Sequence, residues 1–417
     1  MNFDEAAMKV RRGRKGIIET IPRAVLKTRN DLSTLYTPGV AQPCREIVKD
    51  KDLSFDLTCR GNMIAVVSDG TRVLGLGDIG PEAAMPVMEG KSVLFKVFSG
   101  VNAVPICLDT KDPKKFIETV KLLQPSFAGI NLEDIASPKC YEIENTLKKE
   151  MDIPVFHDDQ HGTAIAALSG AVGAFRCVGK DMKTAKIVIN GAGAAGASIG
   201  RLLVRAGAQN VTMVDRCGAL YEGMDGLNPV QAELAAVTNR DKVQGTLADV
   251  VKGADMLLGV SAPHIFTKEI IQSMNHDAIV FAMANPIPET DYASAKAAGA
   301  RVVGTGRSDS PNQINNVLVF PGIFRGALAV RARHINEDMK VAAAYAIAGL
   351  ISDDELNDEY VIPDAFDQRV APAVAAAVAK AAMETGSARI QRDPEDIRHE
   401  AAEQIAALHD MIDKLHG

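Results

Sequence analysis

The sequence predicts an α/β protein of two domains, and three observations carry that prediction. Strand-like apolar runs alternate with helical segments between residues 60 and 160, the pattern of layered α/β folds. A second stretch of alternation surrounds the glycine motif Gly191-Ala192-Gly193-Ala194-Ala195-Gly196 and continues to about residue 325. Two acidic pairs, Glu133-Asp134 and Asp158-Asp159, each close a short apolar run. The expected division is 1–160 for the first domain, 161–330 for a Rossmann-like dinucleotide domain, and 331–417 for C-terminal helices packing back.

In chain order, residues 1–30 are mixed and polar and read as partly helical. Strands are expected at N-M-I-A-V-V-S-D-G, V-P-I-C-L-D, F-A-G-I-N-L and I-P-V-F-H, with helices at Pro113–Leu123 and Pro138–Met151. In the second helix, Ser137 is a natural N-cap and Pro138 a natural first residue. Ile143, Leu147 and Met151 repeat at i, i+4, i+8 and form one buried stripe. Strand, helix and strand make a βαβ unit with parallel strands, so both acidic pairs fall at strand C-termini, where open α/β sheets bind ligands. Four carboxylates converging there would repel, at roughly 4 kcal/mol per pair about 4 Å apart with an effective dielectric near 20. A hard divalent cation with oxygen ligands fits best among them. His157 and His161 flank the second pair, but a carboxylate-rich set favours Mg²⁺ or Mn²⁺ over zinc.

Gly162–Val178 reads as a helix whose Ala and Gly residues suit close packing. Lys186–Asn190 is a strand and runs directly into the glycine motif. Gly191 permits a tight turn, Gly193 lets the backbone approach a pyrophosphate, and Gly196 allows helix–strand contact. The helix N-terminus then offers N–H donors to the phosphates. A second strand ends at Asp215, placed to bond a ribose 2′-hydroxyl, which leans the cofactor toward NAD; Arg216 beside it could instead hold the 2′-phosphate of NADP. Further strands are expected at Met256–Val260, Ala278–Ala282 and Arg301–Gly304, and helices dominate from residue 326, including a charged one at 393–415.

Composition removes several classes of function. A net charge of −7 without a long basic run argues against nucleic-acid binding. No stretch reaches 18 strongly apolar residues, so no membrane span is expected. The basic cluster Arg11-Arg12-Gly13-Arg14-Lys15 has no apolar run after it and reads as solvated rather than as a targeting signal. Six cysteines show neither C-x-x-C nor zinc spacing, which suits a reducing, cytoplasmic setting.

Seven motifs in order resemble the malic enzyme family in its shorter prokaryotic form. They are Leu35-Tyr-Thr-Pro-Gly-Val40, Asp69-Gly-Thr-Arg-Val-Leu-Gly-Leu-Gly-Asp78, Glu89-Gly-Lys-Ser-Val-Leu-Phe95, Gly129-Ile-Asn-Leu-Glu-Asp134, Phe156-His-Asp-Asp-Gln-His-Gly-Thr163, the glycine motif, and the pair Phe281–Pro286 with Asn315–Gly322. They span roughly residues 20–350, and no phosphate-acetyltransferase-like domain, as in longer relatives, follows them. The resemblance implies oxidative decarboxylation of (S)-malate to pyruvate and CO2 with reduction of NAD or NADP. It implies Glu133, Asp134 and Asp159 as ligands of Mg²⁺ or Mn²⁺, the metal polarising the C2 oxygen of the substrate. It implies Lys91 as the base for the C2 hydroxyl, Asp158 as its proton partner, and Tyr36 as the acid that protonates C3. A free lysine near pKa 10.4 is a poor base at pH 7, so burial beside a cation is expected to lower Lys91. Arg72 would pair with a malate carboxylate, and Asn285 and Asn316 would line the malate and nicotinamide end of the cleft, Asn285 also reaching the cofactor. Singly, such residues read as turn, cap or solvated positions; their ordered joint occurrence gives them meaning. The resemblance also implies a homodimer or larger assembly. Two other readings use the same residues: a malolactic-type enzyme that retains NAD and releases lactate, and a non-catalytic NAD-responsive regulator, which the intact catalytic set disfavours.

Overall fold

The computed structural model describes residues 3–416. Four small helices open the chain: α1 (Phe3–Arg14), α2 (Arg29–Leu35), α3 (Ala41–Lys49) and α4 (Ser54–Leu57). Strand β1 (Met63–Ser68) follows, then α5 (Pro81–Ser99), β2 (Asn102–Cys107), α6 (Pro113–Leu122), β3 (Gly129–Leu132), α7 (Lys139–Glu150) and β4 (Val155–His157). These strands form a parallel sheet in the order β2-β1-β3-β4. Strands β1, β3 and β4 are buried on both faces, which is why they read as continuous apolar runs rather than alternating ones; the edge strand β2 is half-buried.

Helix α8 (Asp158–Val178) leaves this sheet without an intervening loop. The second unit comprises β5 (Lys186–Asn190), α9 (Ala194–Arg205), β6 (Asn210–Asp215), β7 (Gly218–Ala219), α10 (Pro229–Val237), α11 (Leu247–Val250), β8 (Met256–Gly259), α12 (Lys268–Gln272), β9 (Ile279–Ala282), α13 (Tyr292–Ala297) and β10 (Val302–Thr305). Its sheet runs β10-β9-β8-β5-β6-β7, with only β7 antiparallel. The order reverses at β5, which pairs with both β6 and β8. That reversal opens the crevice where doubly wound sheets take a dinucleotide.

The chain ends with α14 (Phe320–Ala329), α15 (Glu337–Ala348), α16 (Val370–Glu384) and α17 (Pro394–His416). Helices α14, α16 and α17 touch α5 of the first sheet, and α15 packs along α8. A ring of Phe95, Phe320, Phe324 and Phe156 knits α5, α14 and β4 together, with centroids 4.6–6.0 Å apart. The small residues of α8 permit this density. A Cβ on Gly173 would lie 1.9 Å from the Val361 carbonyl oxygen, and one on Gly170 would lie 2.6 Å from Ile314.

Three local expectations need correction. Helix α7 begins at Lys139, with Pro138 as N-cap and no side-chain capping bond. The Ser137 hydroxyl bonds Tyr141 and so is not the cap. Helix α8 begins at Asp158 rather than Gly162, because the acidic pair forms its first turn, where carboxylates meet the positive end of the helix dipole. The largest omission is α5, whose buried residues Ala84, Met88, Lys91, Ser92, Phe95 and Ser99 form a helical stripe that includes a lysine.

Candidate active site

The two acidic pairs do converge. Glu133 and Asp134 follow β3, Asp158 and Asp159 follow β4, and β3 and β4 are paired neighbours. The Asp134 backbone N–H donates to Asp159 Oδ2 at 2.9 Å, which ties the pairs directly. Asp134 needs a positive φ of 53° to do so, a conformation that Asp tolerates better than most residues. Asn131, inside β3, donates to Glu133 Oε2 at 2.9 Å.

Lys91 enters this cluster from α5. Its Nζ lies 2.6 Å from Asp158 Oδ2 and 2.9 Å from Glu133 Oε1, and 4.1 Å from the centre of the Phe320 ring. Asn316 donates to the same Asp158 oxygen. Lys91, Glu133, Asp134 and Asp158 are all buried. In this arrangement the two carboxylates act on the lysine against its burial. Burial pulls Lys91 down, but Asp158 and Glu133 together outweigh it and hold the ammonium above its ordinary value. The acids are raised as well, which for them favours the neutral form. Burial raises Glu133 well above the carboxylate range, with repulsion from Asp159, Asp158 and Asp134 adding to it. Burial and Asp159 push Asp134 up to about 7, and burial raises Asp158 against the pull of Lys91.

Among the described residues no three His, Cys, Asp or Glu side chains form a finished metal cage. The donor set nevertheless fits a hard cation. Four carboxylates face one ammonium, and Asp134 Oδ2 and Asp158 Oδ1 are buried without a hydrogen-bond partner. Oxygen donors short of positive charge are what Mg²⁺ or Mn²⁺ takes. Neither nitrogen of buried His157 has a hydrogen-bond partner, and its Nδ1 lies 3.9 Å from Asp159 Oδ2.

Arg72 stands exposed beside the cluster, its backbone N–H donating to the Asp134 carbonyl at 3.1 Å. Across the cleft, Asn285 follows β9 and its amide borders Gly306. Gly75 and Pro286, one from each unit, face each other closely enough that a Cβ on Gly75 would sit 3.6 Å from the proline ring. Tyr36 is the exception. It caps the C-terminus of α2, is 67% exposed, and its hydroxyl bonds none of the cluster residues.

At the dinucleotide end, Gly191 has φ 113°. A Cβ on Gly196 would be 1.8 Å from the Gly191 carbonyl oxygen, whereas one on Gly193 would meet nothing within 4 Å. The middle glycine thus presents open backbone, while Ala192 and Ala194 are buried and Ala195 half-buried. Helix α9 starts at Ala194 with no side-chain cap on its N–H groups. Asp215 is fixed at the end of β6, accepting from the Arg216 N–H at 2.8 Å and from Gln231 Nε2 at 2.6 Å.

Sequence reasoning missed Asn131, Phe320 and the helical setting of Lys91. The first and last had a signal: a polar residue inside an apolar strand, and a lysine on an apolar helical stripe.

The fold is that of a two-domain α/β protein whose second unit is a doubly wound sheet of the dinucleotide-binding kind. Residues 15–148 match the model of the malic enzyme N-terminal domain, and residues 160–383 match that of the malic enzyme NAD-binding domain. The chain is 58% identical over 398 residues to the bifunctional malic/malolactic enzyme of Bacillus subtilis, covering 95% of this chain and 97% of that protein. It is 55% identical over 379 residues to the NAD-dependent malic enzyme of Geobacillus stearothermophilus, covering 91% and 79%. The malic enzyme of Pyrococcus horikoshii superposes with a TM-score of 0.93 at 46% identity, covering 96% of this chain and 94% of that one. The chain belongs to the malic enzyme family.

Proposed function

We propose that this protein converts (S)-malate to pyruvate and CO2 while reducing a nicotinamide dinucleotide. The observation that carries the reading is the joining of Lys91 to both acidic pairs beside an open dinucleotide crevice. Residues 1–160 would supply the acid and base groups, 161–330 the dinucleotide, and 331–417 the helices that brace them. Glu133, Asp134 and Asp159 are the residues to hold Mg²⁺ or Mn²⁺, which when bound supplies Lewis acidity at the C2 oxygen of malate. Arg72 stands beside Asp134 to receive a malate carboxylate, Asn316 stands on Asp158, and Asn285 lines the opposite wall.

Lys91 is the proton acceptor for the C2 hydroxyl. As an ammonium held by Glu133 and Asp158 it cannot accept a proton. Once Glu133 serves a cation instead, one of the two groups holding the Lys91 proton is gone, and Asp158 remains as the acceptor that can relay it. Tyr36 is the acid for C3. Its exposure, and that of Ile21, Val25, Leu26, Leu32, Leu35 and Val48 on the same N-terminal segment, supports a homodimer in which the arm of one copy closes the cleft of the other. Asp215, with both oxygens pinned at the end of β6, supports NAD over NADP. Free thiols at all six cysteines suit the cytoplasm.

The name of the Bacillus subtilis relative favours a second activity on the same residues, decarboxylation to lactate with NAD retained. One assay separates the two: malate and Mn²⁺ with NAD or NADP, following reduced cofactor and lactate together. The main reading expects steady formation of reduced cofactor, faster with NAD. Malate consumption with lactate and no accumulating NADH would replace it.

A further inference from the structure

Outside the cluster, one buried polar chain has no part in the reaction just described. Lys340 lies on α15 between buried Met339 and buried Ala343, and is only 2% exposed. Its Nζ donates to Glu337 Oε1 at 2.6 Å and to His161 Nδ1 at 3.0 Å. The other ring nitrogen of His161 lies 2.7 Å from Glu144 Oε1. Glu144, on α7, is 3% exposed, and also receives Lys148 at 2.5 Å and Gln160 at 3.4 Å. Three helices from separate parts of the chain therefore meet at one imidazole.

The geometry fixes the state of that ring. An ammonium has donors only, so His161 Nδ1 must accept and Nε2 must carry the proton, which it gives to Glu144. Lys148, 3.2 Å from Nε2, is then a second donor to Glu144 and not a partner of the ring. A buried ion pair adds little stability compared with apolar packing. What the lysine adds is direction.

That direction bears on the first turn of α8, which holds Asp158, Asp159, Gln160 and His161. Asp158 is held from one side by Lys91 and Asn316, and His161 from the other by Lys340 and Glu144. Asp159 sits between them. We propose that Lys340 is a positioning residue, which acts through His161 and Glu144 to fix the turn that presents Asp159 to the cation. The proposal rests on the reading of Asp159 as a metal ligand. Outer partners that orient a ligand commonly change metal affinity on the order of 10- to 100-fold when removed.

The test compares the unaltered protein with Lys340→Met, Glu144→Gln and the double variant. Mn²⁺ affinity is measured by electron paramagnetic resonance without malate or dinucleotide, and NADH affinity by fluorescence. Each single variant is expected to weaken Mn²⁺ binding about tenfold or more, the double variant little beyond the worse single, and NADH binding to be unchanged. A folded Lys340→Met with unaltered Mn²⁺ affinity, or with NADH and Mn²⁺ weakened alike, overturns the proposal. Should Lys340→Met fail to fold, the ¹⁵N shifts of His161 in the unaltered protein decide: a proton on Nε2 supports the chain, and one on Nδ1 overturns it. Absence of Mn²⁺ binding in the unaltered protein would instead overturn the ligand reading beneath it.

Discussion

The N-terminal arm and the Lys91 cluster are built on opposite terms. No described residue before Ile64 is buried, whereas Lys91, Glu133, Asp134 and Asp158 are all at most 8% exposed. Both regions carry residues proposed for proton transfer: Tyr36 on the arm, and Lys91 and Asp158 in the cluster. The cluster is anchored by two paired strands, a long helix and an aromatic ring, so one chain suffices to assemble it. The arm has caps and local hydrogen bonds, such as the Thr28 and Asp31 capping box, but almost no core of its own. Local sequence rules can form its helices without telling where they belong, because that needs a surface to dock against.

Mixing variants puts the greatest strain on this contrast. Lys91→Ala and Tyr36→Phe should each lower kcat at least about 100-fold, the scale of one acid or base group. Co-expressed in a two-fold dimer that exchanges arms, the two should recover about a quarter of wild-type activity, since one site in four then carries both groups. No recovery would confine Tyr36 to its own chain or remove it from the reaction. Asp159→Asn tests the cluster alone and should weaken Mn²⁺ binding at least about tenfold, because ligand charge sets affinity at oxygen sites; an unchanged titration would take Asp159 out of the ligand set. Gly193→Ala should leave Tm unchanged, as its Cβ meets nothing, yet weaken NADH binding several-fold by blocking the pyrophosphate. A drop in Tm with normal NADH affinity would contradict the open-backbone reading.

The smallest expected effect concerns pH. Asp134 is pushed up to about 7, and a ligand must lose its proton to bind metal. Mn²⁺ affinity should therefore fall as pH drops, by about threefold between pH 7.5 and 6.5 for a single carboxyl titrating near 7. A flat profile across that window would show that Asp134 is already ionised there.

Legibility in the sequence followed how local each signal was. The strands, the glycine motif and the Ile143, Leu147, Met151 stripe depend on spacing within one element, and the structure has them all. The convergence of Glu133-Asp134 with Asp158-Asp159 was also readable, because a single βαβ unit joins them. The raised state of Lys91 was not, since it follows from Asp158 and Glu133, 67 and 42 positions away in the sequence. Nor was the Lys340 chain, whose partners at 144 and 161 are separated from it by the whole dinucleotide unit. In M-K-V-A-A-A-Y a lone lysine reads as the solvated side of a helix. Only tertiary packing turns it inward.

The missing loop between β4 and α8 has a mechanical meaning. The sheet ends at His157 and the helix starts at Asp158, so one proposed cation ligand, Asp159, belongs to the joint itself. Helix α8 has 21 residues and is about 30 Å long, a stiff shaft running from that joint along α9 and α15. A tilt of about 5° about its base would move its far end by roughly 3 Å, at 1.5 Å of rise per residue. Any movement of that shaft against α9 would then be felt at Asp159, the proposed ligand at its base.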